Sequence, residues 1–144
     1  IAKEADKVIA AFAPDADEYG KFLAIHDHIT ASSENGETDS KAFSGSAYGP
    51  LVLGKGISEG YACAFQYISI KAGLTSVIVS GMDANGSVHT WNKVRIGSSW
   101  YNVDCSADDE GGNYDCFMVS DETIKQLYTE SGSGDYPASD DYKN

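Results

Sequence analysis

Ile1, Ala5, Val8, Ile9 and Phe12 recur at intervals of three and four, the spacing of one helical face, and Pro14 ends the run. A second helical stripe follows in Tyr19, Phe22, Leu23, His26 and Ile29, with Asp15 or Asp17 placed to cap its first turn. Residues 31–47, rich in Ser, Gly, Glu and Asp, predict a surface loop, and Ser46–Pro50 predicts a short turn or helix. A third helix is expected from about Glu59 to Ala72, closed by Lys71 and Gly73. Tyr61, Ala62, Cys63, Ala64, Phe65, Tyr67, Ile68 and Ile70 cover nearly all its faces, so it is expected to be buried.

The period then falls to two. Thr75–Ser80 predicts a short strand, Asp83–Gly86 a tight reversal, Val88–Ile96 a strand, Gly97-Ser98 a two-residue turn and Ser99–Cys105 the next strand. A last strand is expected at Asp115–Val119, and Ser120 caps a final helix whose first turn carries Asp121 and Glu122. The tail from 131 to 144 reads as irregular. With no internal repeat, residues 1–144 predict a single α+β domain, a buried central helix packed on an antiparallel sheet. A chain of 144 residues is long enough to bury a real core.

Charge narrows the partners. A formal net charge of −12 argues against nucleic acid and anionic membranes as partners. No stretch approaches the ~20 apolar residues of a membrane span, so no membrane insertion is expected. The chain begins at Ile1 without methionine, which suggests a processed piece of a longer, secreted or cell-surface protein. Three cysteines, Cys63, Cys105 and Cys116, fit no closed disulfide framework. Cys105 and Cys116 could pair across the acidic, glycine-rich loop between them, or all three could be free thiols.

The candidate chemistry lies at Ser58, His89 and Asp104. Ser58 opens the buried helix, where unpaired N–H groups and the positive dipole end gather. If Gly97-Ser98 forms a II′ turn, Ile96 faces Ser99 and Trp91 falls opposite Asp104. His89 shares Trp91's face, so Asp104 becomes its diagonal neighbour. That arrangement is a nucleophile, base and orienter set. Lys93, Arg95, Asn102 and Trp100 share the face and predict a polar groove; Gly56 and Gly60 would let a substrate backbone approach closely. Taken alone, each residue has a plain explanation: Ser58 as an N-cap, His89 as a packed or surface residue, Asp104 in a solvated acidic loop. Their order and the hairpin register together favour a site.

Several motifs resemble the transglutaminase-like superfamily, particularly its small bacterial members. They are Ser58-Glu59-Gly60-Tyr61-Ala62, His89-Thr90-Trp91-Asn92, and Trp100-Tyr101-Asn102-Val103-Asp104 followed by Asp108-Asp109. The resemblance runs from about His26-Asp27 to Tyr114–Ser120 and is densest from Tyr48 to Asp109. It implies a papain-like core, His89 as general base, Asp104 as its orienter and the position of Ser58 as nucleophile. It also implies acyl transfer from a peptide or protein amide to an amine or water, with no metal or organic cofactor. Tyr48 and Trp91 join Gly56 and Gly60 as substrate-groove candidates.

Two departures from the family pattern stand out. Ser106-Ala107 replaces a threonine and an aromatic residue, which alters pocket shape. Ser58 replaces the cysteine, keeping its shape while silencing its thiol. An engineered inactive variant is the first expectation, ahead of a natural Ser-His-Asp enzyme or a natural pseudoenzyme. A non-catalytic module binding peptide or cell-wall material is the alternative function. Cys63 lies about 140° around the helix from Ser58 and is not expected to act in its place. Asp15-x-Asp17-x-x-Gly20 lacks the Glu of a calcium loop, having His26 at its twelfth position. In His26-Asp27-His28 the two imidazoles point apart on a helix, His26 half-buried and His28 exposed, which argues against a metal pair.

Overall fold

The structure is a computed structural model that describes residues 1–132 and 134–143; Ser133 and Asn144, both in the tail expected to be irregular, lie outside the described residues. Helix α1 (Ala2–Ala10) buries Ala5 and Val8. Helix α2 (Glu18–Ser32) starts at Asp17, whose side chain accepts the Gly20 N–H at 2.8 Å. The segment expected to be a plain loop contains strand β1 (Glu34–Asn35) and a single turn of helix, α3 (Lys41–Ser44). A π-helical turn (Gly49–Leu53) follows, and β2 (Lys55–Gly56) pairs in parallel with β1. The two strands and α3 are too short to carry a hydrophobic period, which is why the pattern missed them, whereas the π-helical turn overlaps the short turn or helix expected at Ser46–Pro50.

Helix α4 (Ser58–Lys71) is the centre of the fold. It buries Tyr61, Ala62, Ala64, Phe65 and Ile68 against α2 and the main sheet. Its burial is not complete on every side: Ile70 is exposed, and Cys63 and Tyr67 are half-buried. Phe22 of α2 stacks on Phe65 with ring centroids 5.9 Å apart. Ile25, Ile29, Val94 and Val103 close this core. Each such side chain contributes roughly 1.5–3 kcal/mol on burial.

The main sheet has five antiparallel strands: β3 (Thr75–Asp83), β4 (Val88–Ile96), β5 (Ser99–Val103), β6 (Phe117–Val119) and β7 (Tyr128–Glu130). Their order is β6-β5-β4-β3-β7. Ile96 pairs with Ser99 and Asn92 with Val103, the register of a two-residue turn, with Gly97 at φ 62°. Between β5 and β6 the expected acidic loop is instead helix α5 (Cys105–Gly111). Helix α6 (Asp121–Ile124) is capped by Ser120 as anticipated, whereas β7 is an element the sequence pattern did not indicate.

One sheet face, carrying Asn92, Val94 and Val103, packs on α4. The other face differs from the polar groove expected of it. Lys93 is buried, its Nζ 3.0 Å from Asp121 Oδ1 and 2.8 Å from Glu130 Oε1, and it donates to the Tyr136 carbonyl at 2.9 Å. Asn102 is equally buried, donating to Asp121 at 2.9 Å. Asp121 feels the cost of burial, but donation from Asn102, the Ala138 N–H and Lys93 outweighs it and holds the carboxyl below its ordinary range. Charge pairing across α6, β7 and the tail therefore closes over the polar side chains. The tail forms no helix or strand among its described residues, yet Ala138 is buried and Tyr142 stacks on Tyr19 at 4.5 Å.

Candidate active site

Ser58 is the first residue of α4, and the preceding position is Ile57, which has no side-chain oxygen to cap the helix. The Ser58 hydroxyl is therefore not the helix cap. It accepts the Thr90 N–H at 3.3 Å, which sets it against the backbone of β4 beside His89. The uncapped first turn leaves its N–H groups available to an anion.

His89 stands near the start of β4, with its side chain 17% exposed. Asp104 directly follows β5, and the register places it across from Trp91, diagonal to His89. His89 Nε2 lies 2.7 Å from Asp104 Oδ2. The other carboxylate oxygen, Oδ1, accepts the Ala107 N–H at 3.1 Å and so caps α5, while the Asp104 N–H donates to the Cys116 carbonyl at 2.8 Å. Asp104 is buried and held from three directions. With Nε2 donating to the carboxylate, Nδ1 keeps its lone pair and is the ring nitrogen free for proton transfer.

Tyr128 of β7 covers the imidazole. Its ring lies 4.2 Å from that of His89 and 8° from parallel, and Trp91 continues the stack 5.2 Å from Tyr128. Burial, then the nearby Asp104 charge, pushes the Tyr128 hydroxyl well above the usual phenol range. Sequence reasoning missed Tyr128. The only local signal was the β-forming pair Tyr128-Thr129, which is too short to stand out.

The groove candidates fare differently. Tyr48 is partly exposed, its ring against Phe43 at 4.8 Å. Gly56 and Gly60 are buried by the chain itself, so the close approach they allow is internal. A Cβ on Gly60 would sit 2.2 Å from the Ser44 carbonyl oxygen, and one on Gly56 2.9 Å from the Pro50 ring. Trp91 is buried too, its indole N–H donating to Asn102 at 2.9 Å. Gly56, Gly60 and Trp91 thus serve packing rather than an open groove.

All three cysteines are free. Burial raises each thiol: Cys63 upward with help from Glu59, Cys116 up to about 12, and Cys105 well above its ordinary range with help from Asp104. Cys63 points toward the Gly45 carbonyl, 3.9 Å away. None is poised as a thiolate. His26 is not half-buried but fully enclosed, with Nε2 2.8 Å from Asp108 Oδ2, and His28 is half-buried rather than exposed. Among the described residues no three His, Cys, Asp or Glu side chains converge as metal ligands.

A sequence profile described as "Transglutaminase-like superfamily" matches residues 6–105. A search of curated proteins finds no relative by sequence. Among solved structures, a TGase aligns over 72% of this chain and 31% of its own, at 14% identity and a TM-score of 0.63. A protein described as a "Putative Cysteine Protease from Cytophaga hutchinsonii" aligns over 73% of this chain and 37% of its own, at 18% identity and a TM-score of 0.62. The chain spans about a third of the length of these two structures, and at such identities the likeness shows the fold alone. That fold is the one used by papain-like enzymes, with the helix bearing Ser58 packed on the sheet bearing His89. By the profile match over most of its length, this chain belongs to the transglutaminase-like superfamily.

Proposed function

We propose that this chain has the framework of a thiol-type acyl-transfer enzyme acting on peptide or protein amides, with position 58 for the nucleophile, His89 as base and Asp104 as orienter. The observation that carries this reading is the 2.7 Å contact between His89 Nε2 and a buried, triply held Asp104, on the strand whose Thr90 N–H meets the Ser58 hydroxyl. A thiol at position 58 would stand at an uncapped helix start beside an imidazole, the setting that favours thiolate. The thiolate would attack the amide carbonyl, and first-turn N–H groups would hold the oxyanion. His89 Nδ1–H would then protonate the departing amine, leaving a thioester that water or an amine resolves.

Serine changes this balance. An alcohol is far less acidic than a thiol, so no resident anion forms and all activation falls on His89. We read this copy as inactive or nearly so. The same Ser58 supports a second reading, a pseudoenzyme or binding module of the same fold that holds peptide or cell-wall amides without cleaving them.

Ser58→Cys separates the two. The acyl-transfer reading expects the variant to cleave peptide, release ammonia from glutamine side chains or incorporate an amine, and to lose that activity with His89→Ala. A cysteine variant inert toward every amide, alongside an unaltered chain that binds peptide, would favour the binding module.

A further inference from the structure

Tyr128 lies outside the residues 6–105 that match the superfamily profile, yet it touches the centre of the site. Its strand, β7, reaches there because of Gly81. Gly81 pairs with His89 on one side and with Glu130 on the other. A Cβ at Gly81 would sit 2.3 Å from the Thr129 carbonyl oxygen and 2.9 Å from Trp91 Cη2. Without a side chain there, β7 closes on the sheet and Tyr128 covers the imidazole across a bare backbone.

A single hydrogen bond fixes one atom of a ring but not the plane of the ring. Asp104 holds Nε2, and rotation about that contact would swing Nδ1 through an arc. The 8° interplanar angle and 4.2 Å spacing to Tyr128 remove this freedom, because any tilt opens the stack. Aromatic pairs of this kind attract beyond the burial of their surface. The face of a neutral phenol ring also favours a cation, so the same contact suits His89 when it takes up a proton.

We propose that Tyr128 is a positioning residue for His89, its ring holding the imidazole in the plane that lets Asp104 keep the proton on Nε2. The proposal rests on His89 being the base, and it adds a specific device outside the matched residues. Its consequence is that the direction of Nδ1 depends on β7 and on the bare backbone at Gly81, not on the triad residues alone.

Nuclear magnetic resonance of the unaltered chain tests the stack directly. The carbon-bound ring protons of His89 are expected well upfield of those of a free histidine, and the ring nitrogens should report a proton fixed on Nε2. Tyr128→Leu should sharply reduce the upfield shift, leaving the part due to Trp91 6.2 Å from the imidazole, and mix the tautomers, whereas Tyr128→Phe, which keeps the ring, should restore both. Tyr128→Ile, suited to an edge strand, replaces the leucine variant if that does not fold. In the Ser58→Cys chain, losing the ring should lower kcat by about tenfold or more with little change in KM, a misplacement effect. A His89 ring without upfield shift in the unaltered chain, or leucine and phenylalanine variants alike in tautomer, overturns the proposal. If Ser58→Cys turns over no amide, the acyl-transfer reading fails, and the resonances still decide what Tyr128 does.

Discussion

Two histidine–aspartate pairs sit at either end of one helical turn. Asp104 caps α5 and meets His89 at 2.7 Å; Asp108, one turn on, meets His26 at 2.8 Å. The contacts are nearly the same length, but the surroundings differ. His26 is 1% exposed, its Nδ1 is taken by Asp27 at 3.2 Å, and its ring lies near Tyr114 and Phe117. Asp108 spends its other oxygen on the Cys116 N–H at 2.8 Å. Every polar atom of that pair has a partner, so it braces α5 between α2 and the approach to β6. His89 differs in keeping one ring nitrogen free and part of its surface open. A histidine paired with a carboxylate is therefore no mark of chemistry by itself; an unspent nitrogen on a strand whose backbone meets a helix start is what separates a candidate site from a brace.

The sharpest way to break this contrast is in the Ser58→Cys chain. Removing His89 there should cost about 10²–10⁴-fold in kcat, the usual worth of a general base, and less stability than removing His26, because His89 is part-exposed and water can take its place beside Asp104. Removing His26 should do the reverse. His26→Ala leaves Asp108 as a buried, underpaired carboxylate and should cost about 3–5 kcal/mol in urea unfolding. Equal stability losses from the two substitutions would mean that both pairs are braces.

Gly81→Ala should have a smaller effect, about 1–3 kcal/mol, as β7 is forced from the Thr129 contact. It should also reduce the ring-current shift on His89 without touching His26, a pairing that proton spectra can read.

Acid titration gives the finest distinction, because two carboxylates respond with opposite sign. Burial raises Asp108 above its ordinary range, against the opposing pull of His26 and the Cys116 N–H. A raised carboxyl favours the folded state in its protonated form. That contribution is full below the unfolded value near 4 and is lost as pH rises through the raised one. Asp121, held below its ordinary range, contributes above that value, and its contribution is lost as pH falls through the lowered one. The stability difference between the unaltered chain and Asp108→Asn should thus shrink as pH rises, and the difference with Asp121→Asn should shrink as pH falls. Chemical denaturation across this range checks both slopes.

Long periodic elements were legible without coordinates. α2, α4, β4 and the β4–β5 turn carry enough repeated apolar spacing, or strong enough turn residues, for local preference and tertiary demand to agree. β1, α3 and β7, of two to four residues each, carry no such period. α5 was hidden by composition: Asp108, Asp109 and Glu110 read as solvent-facing, whereas Asp108 is spent on His26 and the Tyr61 hydroxyl donates to Asp109 at 2.5 Å. The polar face of β4 misled for the same reason, since Lys93 finds its counter-charges on α6 and β7, far along the chain.

Sequence alone determined the residue types at the three candidate positions, the two-residue reversal that makes His89 and Asp104 diagonal, and the helix that Ser58 begins. Those are local properties, set by backbone preference and side-chain period. Tertiary structure decided which carboxylate keeps a histidine nitrogen free, which glycines admit the chain's own backbone, and that a tyrosine from an edge strand lies against the imidazole. These depend on which distant segments meet, and burial and pairing between segments have no signature in any single stretch of chain.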